Sequence, residues 1–313
     1  MHPAAISPRG GGVAPKTTRL RGQSIIEYAL IAAIIGLVVV FAGPRLSGAV
    51  RNQFNQVTDK VDSGTGGEGF LSAEEKAHRE AMKAVTAKEA KDWTLEEQRV
   101  ASDDIAEKGA SSVVYAKAKA AMDAGTTWSV KLTDGKTMHY RIIGVHHDNY
   151  ADGTGRAGLT FQTTNSAFGP WKMNATDTNT GGWEKSELRA KMNSGEVWHL
   201  LPSDFRSKVR AVSKLTNNVG GVGGVPSPTS DRLFLLSSTE VWGDVDSDGS
   251  QYELYAGRGI DSSNYSALAS RDILCTRSID ATGSKRFKRV LEDGSCYVDS
   301  ANYSYDIHPA FCF

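Results

Sequence analysis

A chain of 313 residues exceeds one small domain, and a hydrophobic content of 40% is ordinary for globular material. Its 36 basic and 36 acidic residues cancel, which excludes the strongly basic signature of a nucleic-acid-binding protein and any long-range steering field from net charge. The chain holds no Gly-x-Ser-x-Gly elbow, no His-Glu-x-x-His and no phosphate-cradling loop, so the sequence does not indicate an enzyme.

Residues 1–22 carry Arg9, Lys16, Arg19 and Arg21 and no acid, and the stretch up to Lys16 is rich in Pro and Gly, the composition of a disordered segment. Gly22-Gln23-Ser24-Ile25-Ile26-Glu27-Tyr28 then opens an apolar run that lasts to Ala42. Ile25–Gly43 has about the 20 residues that a bilayer crossing needs. The excess of Lys and Arg before it predicts that the leader stays inside and everything after Pro44 lies outside. A carboxylate in such a span is disfavoured by roughly 2.5–3.5 kcal/mol, which marks Glu27 as functional. A secretory signal peptide carries no acid in its core and ends in small residues, for which Ala42-Gly43-Pro44 is at best a loose match. A plain anchor leaves Glu27-Tyr28 unexplained.

Residue by residue, this N-terminus resembles Flp/Tad-type (type IVb) prepilins. The resemblance implies cleavage by a prepilin peptidase between Gly22 and Gln23, and assembly by the Tad machinery with other pilin subunits. It assigns Glu27 and Tyr28 to assembly, Glu27 meeting the new α-amino group of a neighbouring subunit. A carboxylate paired with an ammonium in low dielectric recovers part of its desolvation cost. The implied location is the inner membrane, single pass with the C-terminus outside, then the cell surface or a pilus.

Beyond Pro44, Leu46, Val50, Phe54, Val57 and Val61 form one stripe of an amphipathic helix, so a pilin helix is expected over 23–63. The Gly-rich residues 64–69 read as a flexible linker. Over 70–126 the chain is rich in Ala, Glu and Lys, with capping boxes at Ser72-x-x-Glu75 and Thr94-x-x-Glu97, and two or three helices are expected. The first has mostly Ala on its best face (Ala73, Ala77, Ala81, Ala84), which predicts a solvated helical stalk.

At Thr127 the composition shifts towards Trp, Tyr, Thr, Gly, Asn and Asp, so 127–313 is expected to be a β-rich α+β domain. Trp128–Leu132 and Met138–Val145, flanking Asp134-Gly135, predict a hairpin. Trp183–Met192 and Pro202–Val212 read as helices, Arg232–Leu236 as a buried strand, and Lys285–Phe313 as a meander. The motifs of this half are Trp183-x-x-Ser186-x-x-Arg189 with Asn193, Leu201-Pro202, Leu233–Ser237 leading to Glu240-Val241, Gly249–Glu253, Arg277-Ser278 and Pro309–Phe313. In that order they resemble an uncharacterised bacterial domain family common in surface and secreted proteins. The chain departs from it at Leu274-Cys275-Thr276, where an aromatic pair is usual, and at Ile307-His308-Pro309. The closing arrangement is similar, at fold level only, to the C-type-lectin and formylglycine-generating-enzyme-like fold.

Candidate sites are few. Asp244, Asp246 and Asp248 before Gly249 match the first half of an EF-hand-like calcium loop, but the twelfth position is Tyr255 rather than an acid, so a solvated acidic turn is the competing reading. No other cofactor is indicated. His146-His147-Asp148 offers two imidazoles, but neighbours on a strand face opposite ways, which favours a loop role. Cys275, Cys296 and Cys312 lie on the expected outer side, where one disulfide and one odd thiol is the simplest count. Trp171, Trp183, Trp198, Trp242, Tyr252, Tyr255, Tyr265, Tyr297, Tyr303 and Tyr305 crowd the distal half, suiting either a core or recognition of a host glycan or protein. The resulting expectation is a minor or modified type IVb pilin that displays an adhesive domain. The alternative is a membrane-anchored binding or sensing module that never enters a pilus.

Overall fold

The computed structural model describes residues 72–221, 223–243, 246–260 and 274–313. The leader, the pilin-like helix with its 25–43 span, the linker, and Gly22, Gln23, Glu27 and Tyr28 lie outside the described residues, among which no helix is long and apolar enough to cross a membrane. Glu68–Phe313 form one compact α+β unit.

Both capping boxes start helices. Ser72 and Glu75 exchange bonds of 3.1 and 2.8 Å at the head of α1 (Ala73–Ala87), and Thr94 and Glu97 do the same for α2 (Leu95–Lys108). A third helix, α3, spans Tyr115–Asp123. Helix α1 buries only Val85, in keeping with its Ala face, but α2 and α3 are no stalk. They bury Ala101, Ser102, Ile105, Ala118, Ala121 and Met122 in the same core as the sheets. The Ser102 hydroxyl donates to the main-chain oxygen of Phe313 at 2.8 Å and accepts from the Leu159 amide at 3.0 Å. A Cβ at Gly158 would stand 1.9 Å from the Ser102 carbonyl oxygen, so the backbones approach as closely as only glycine permits.

The predicted hairpin forms from β1 (Thr127–Lys131) and β2 (Thr137–Val145), with Val130 opposite Met138 and Gly135 at φ 89° in the turn. With β3 (Leu159–Thr163) and β11 (Ala310–Cys312) they make an antiparallel sheet of order β1-β2-β3-β11. Its inner side carries Tyr140, Phe161 and Phe311, packed with Phe205 and Phe313 at centroid distances of 5.0–5.7 Å. A second sheet has the order β4-β10-β7-β8-β9, where β4 is Pro170–Lys172, β7 Leu274–Ile279, β8 Arg286–Val290, β9 Cys296–Ser300 and β10 Ser304–Asp306. A third is the pair β5 (Val212–Thr216) and β6 (Ser227–Asp231). The short helices are α4 (Glu187–Asn193), α5 (Glu196–Leu200), α6 (Ser203–Arg206), α7 (Ser238–Trp242) and α8 (Glu253–Ala256).

Four expectations are corrected. The helix predicted over Pro202–Val212 is one turn, because Val212 is drawn into pairing with Asp231 on one side and Tyr150 on the other. The helix predicted from Trp183 begins at Glu187, capped by the Ser186 hydroxyl; Trp183 is buried before it, its indole donating to Asp231 at 3.0 Å. Leu233–Leu236 are buried as expected, but pair only through the bridge Phe234–Ala310. The tail forms the β8–β9 hairpin, re-enters the same sheet as β10 between β4 and β7, and only then crosses to the other sheet as β11.

Candidate functional site

A charged cluster lies where the three sheets meet. Tyr150 bridges Val212, Ser213 donates its amide to Asn149 and Ala151 donates to Ala211. That antiparallel register sets Asp148, just past β2, opposite Lys214 on β5. The Lys214 ammonium lies 2.6 Å from Asp148 Oδ1, 2.5 Å from Glu240 Oε1 and 3.0 Å from the Tyr252 hydroxyl. Asp148 Oδ2 accepts from the hydroxyls of Thr160 (2.6 Å) and Tyr252 (2.8 Å). Glu240 is fixed twice, as the acid of the capping box that Ser237 opens on α7 and as the partner of Arg277 on β7, which grips it at 2.5 and 2.8 Å. The rest of the Arg277 guanidinium donates to Thr216 and to the carbonyls of Leu215, Leu235 and Asp248.

All four ionised side chains are buried. Burial alone would raise the Asp148 pKa; the Lys214 charge, His147 and the hydrogen bonds from Lys214 and Thr160 outweigh it and hold the carboxyl at about 2. The same balance lowers Glu240 and raises Lys214 and Arg277 against the pull of desolvation. The Cys312 thiol, next to Asp148, is pushed up by burial and by that negative charge.

The residues singled out in the sequence are dispersed. Asp246 accepts from Ser238 and Lys288, and Asp248 turns inward, taking the Ser278 hydroxyl at 2.5 Å and the Thr239 amide at 3.3 Å. A calcium loop needs such oxygens free to converge; these two are committed to protein donors, and Asp244 lies outside the described residues. Cys275, Cys296 and Cys312 are free thiols, the first two separated by strand β8 and the third in the other sheet. The expected bridge gives way to that spacing. His147 stacks on Tyr252 at 4.3 Å and lies 3.3 Å from Glu253 Oε1.

The aromatic residues divide sharply. Trp183, Trp198, Trp242, Tyr252 and Tyr255 are core, whereas Tyr297 and Tyr303 are 47% and 55% exposed, and Tyr265 is outside the described residues. The exposed pair belongs to one face of the five-stranded sheet and its β9–β10 turn. There the register aligns Trp171 with Tyr305, and Cys275 with Arg289 and Tyr297. The Arg289 guanidinium is fully buried 5.2 Å from the Tyr305 ring, and donates through Nη1 to the Lys288 carbonyl at 3.1 Å, while Nε and Nη2 have no partner. Asn302 Oδ1, on the same turn, also lacks one. Tyr305 donates to Asp299, and Lys191 caps the Trp171 ring at 4.9 Å. Tyr297 and Tyr303 offer stacking faces to solvent, while the unpartnered Arg289 and Asn302 atoms lie buried. Nothing in the spacing of Arg289 distinguishes it in the sequence; its alignment with Tyr297 and Cys275 comes from strand pairing.

Residues 160–313 match the family described as "Domain of unknown function (DUF6273)". No curated protein and no solved structure matches the chain. The matched span covers β3 to β11 and so includes Lys214, Glu240, Arg277 and Arg289; Asp148 and the three helices before β1 precede it.

Proposed function

We propose that the chain is a minor or modified type IVb (Flp/Tad) pilin whose C-terminal domain binds a ligand at the cell surface, through the face that exposes Tyr297 and Tyr303. The observation that carries the reading is a Glu27-Tyr28 pair inside an apolar span, at the head of a chain whose compact unit starts at Glu68, in the Gly-rich stretch 64–69. The binding half of the reading is supported by the exposed ring of Tyr297 on β9 beside that of Tyr303 in the short turn that joins β9 to β10. Its ligand is a host glycan or protein. The closing strands are read as C-type-lectin-like on the terminal motifs alone. On this reading prepilin peptidase acts between Gly22 and Gln23, the chain passes through the inner membrane once, and Glu27 docks it among other subunits.

Mass spectrometry of the protein recovered from the cell surface tests the first half: an N-terminus at Gln23 is expected, and loss of pilus fractionation in Glu27→Ala. An intact leader in the membrane fraction would sink the pilin reading in favour of an anchored module. A glycan and protein array tests the second half, with binding falling about tenfold in Tyr297→Ala or Tyr303→Ala, the worth of one stacked ring. Binding that ignores both substitutions would place the ligand elsewhere.

A further inference from the structure

The contacts around Lys214 are those of a reaction as well as of an ion pair. We propose that Lys214 and Asp148 condense, so that the domain cross-links itself through an isopeptide bond between Lys214 Nζ and Asp148 Cγ, with Glu240 carrying the proton. This inference is independent of the pilin reading and of any ligand.

Four observations support it. Backbone pairing on both sides of the pair, Tyr150 with Val212 and Asn149 with Ser213, holds nucleophile and electrophile opposite each other before any chemistry, with Nζ 2.6 Å from Oδ1. A base already touches the nucleophile, since Glu240 Oε1 is 2.5 Å from Nζ. The electrophile is polarised where charge develops: Thr160 and Tyr252 both donate to Oδ2, the oxygen that turns negative when Nζ attacks Cγ. The surroundings exclude solvent, with Lys214 and Asp148 buried and the Phe234 ring 4.3 Å from Nζ, so the released water leaves a site in which hydrolysis has no reagent.

The atoms balance without a co-reactant. Glu240 relays a proton from the Lys214 ammonium to Asp148 Oδ1, and the free amine attacks Cγ of the carboxylic acid so formed. The C–Oδ1 bond breaks as Oδ1 receives a second proton from the attacking nitrogen. One ammonium and one carboxylate become one amide and one water. Glu240 ends as it began, still paired with Arg277, so the buried charges that remain are again one of each sign. Arg277 acts here as a positioning residue: Nη1 holds Glu240 Oε2 and Nη2 holds Oε1, which fixes the carboxylate with Oε1 also facing Lys214. Asp248 and Asp246, although nearby in the fold, take no part, being bonded to Ser278, Ser238 and Lys288.

The test is a tryptic digest of the full-length chain after denaturation and reduction. Trypsin cutting at Arg141, Arg156, Arg210 and Arg232 releases residues 142–156 and 211–232. The expected product is a single branched species in which these two peptides are joined at Asp148 and Lys214, one water lighter than their sum, uncleaved after Lys214 and resistant to hydroxylamine. Linear peptides with cleavage after Lys214 would overturn the proposal, as would a water loss that maps to Asp152-Gly153 within residues 142–156. Glu240→Gln, checked for folding by circular dichroism, is expected to give the linear peptides. A folded Glu240→Gln chain that still cross-links would overturn the role given to Glu240.

Discussion

Two arginines are fully buried on neighbouring strands, and they are treated in opposite ways. Arg277 gives every donor to an acceptor, including both oxygens of Glu240, whereas Arg289 gives one bond to a carbonyl and rests against a ring. The difference separates a satisfied from an unsatisfied buried charge within a single sheet. A buried charge whose bonds are complete fixes the structure around it, and one whose bonds are incomplete carries an uncompensated desolvation cost.

The strongest way to break the contrast is to remove the satisfied charge. Arg277→Met leaves Glu240 buried with one cation fewer and is expected to destabilise the domain by about 3–5 kcal/mol in guanidinium unfolding. Adding Glu240→Leu to it should recover part of that loss, since a pair replaced together leaves no unpaired charge; a double variant no better than Arg277→Met would show that packing and lost hydrogen bonds, not charge, set the cost. Arg289→Met sharpens the other side. It removes a cation held by a single hydrogen bond and keeps the stem that packs below Tyr305, so stability should stay within about 1 kcal/mol. Destabilisation equal to that of Arg277→Met would erase the distinction.

The smallest effect concerns His147, at the edge of the charged cluster. Burial, the largest influence, favours its neutral ring, but the hydrogen bond to Glu253 and the charges of Asp148 and Glu253 outweigh it and raise its pKa above the ordinary 6.5. A raised value means that the protonated ring favours the fold. The contribution is complete below pH 6.5 and fades as pH rises through the folded value. A histidine NMR titration should place His147 above 6.5, and Glu253→Gln should bring it down. The size of the rise also reports on Asp148, because a condensed Asp148 carries no charge.

How much of this was legible follows residue by residue. The Asp134-Gly135 hairpin and both capping boxes are local devices and formed where the spacing placed them. Strand β5 shows why the charged centre was not legible. In Val212-Ser-Lys-Leu-Thr216 an alternation read for hydrophobicity turns Leu215 inward, but the structure buries Val212, Lys214 and Thr216 and leaves Leu215 40% exposed. The register there follows Asp148, which is 66 positions away, and Glu240, not the apolar side chains. The helices before Thr127 misled for a related reason. Alanine faces carry little hydrophobic signal, and the partner of Ser102 is Phe313.

That last contact has a kinetic meaning. It joins residues 211 positions apart, and β11, which completes the first sheet, pairs with a strand whose nearest neighbours are made long before it. Helices α1–α3 are locally encoded, yet the surface on which α2 rests is finished only when β11 has closed the sheet. Loop-closure entropy on this scale must be met before the contact gives anything back, so this domain is expected to be a slow folder, with its helices formed early and waiting for a strand to arrive.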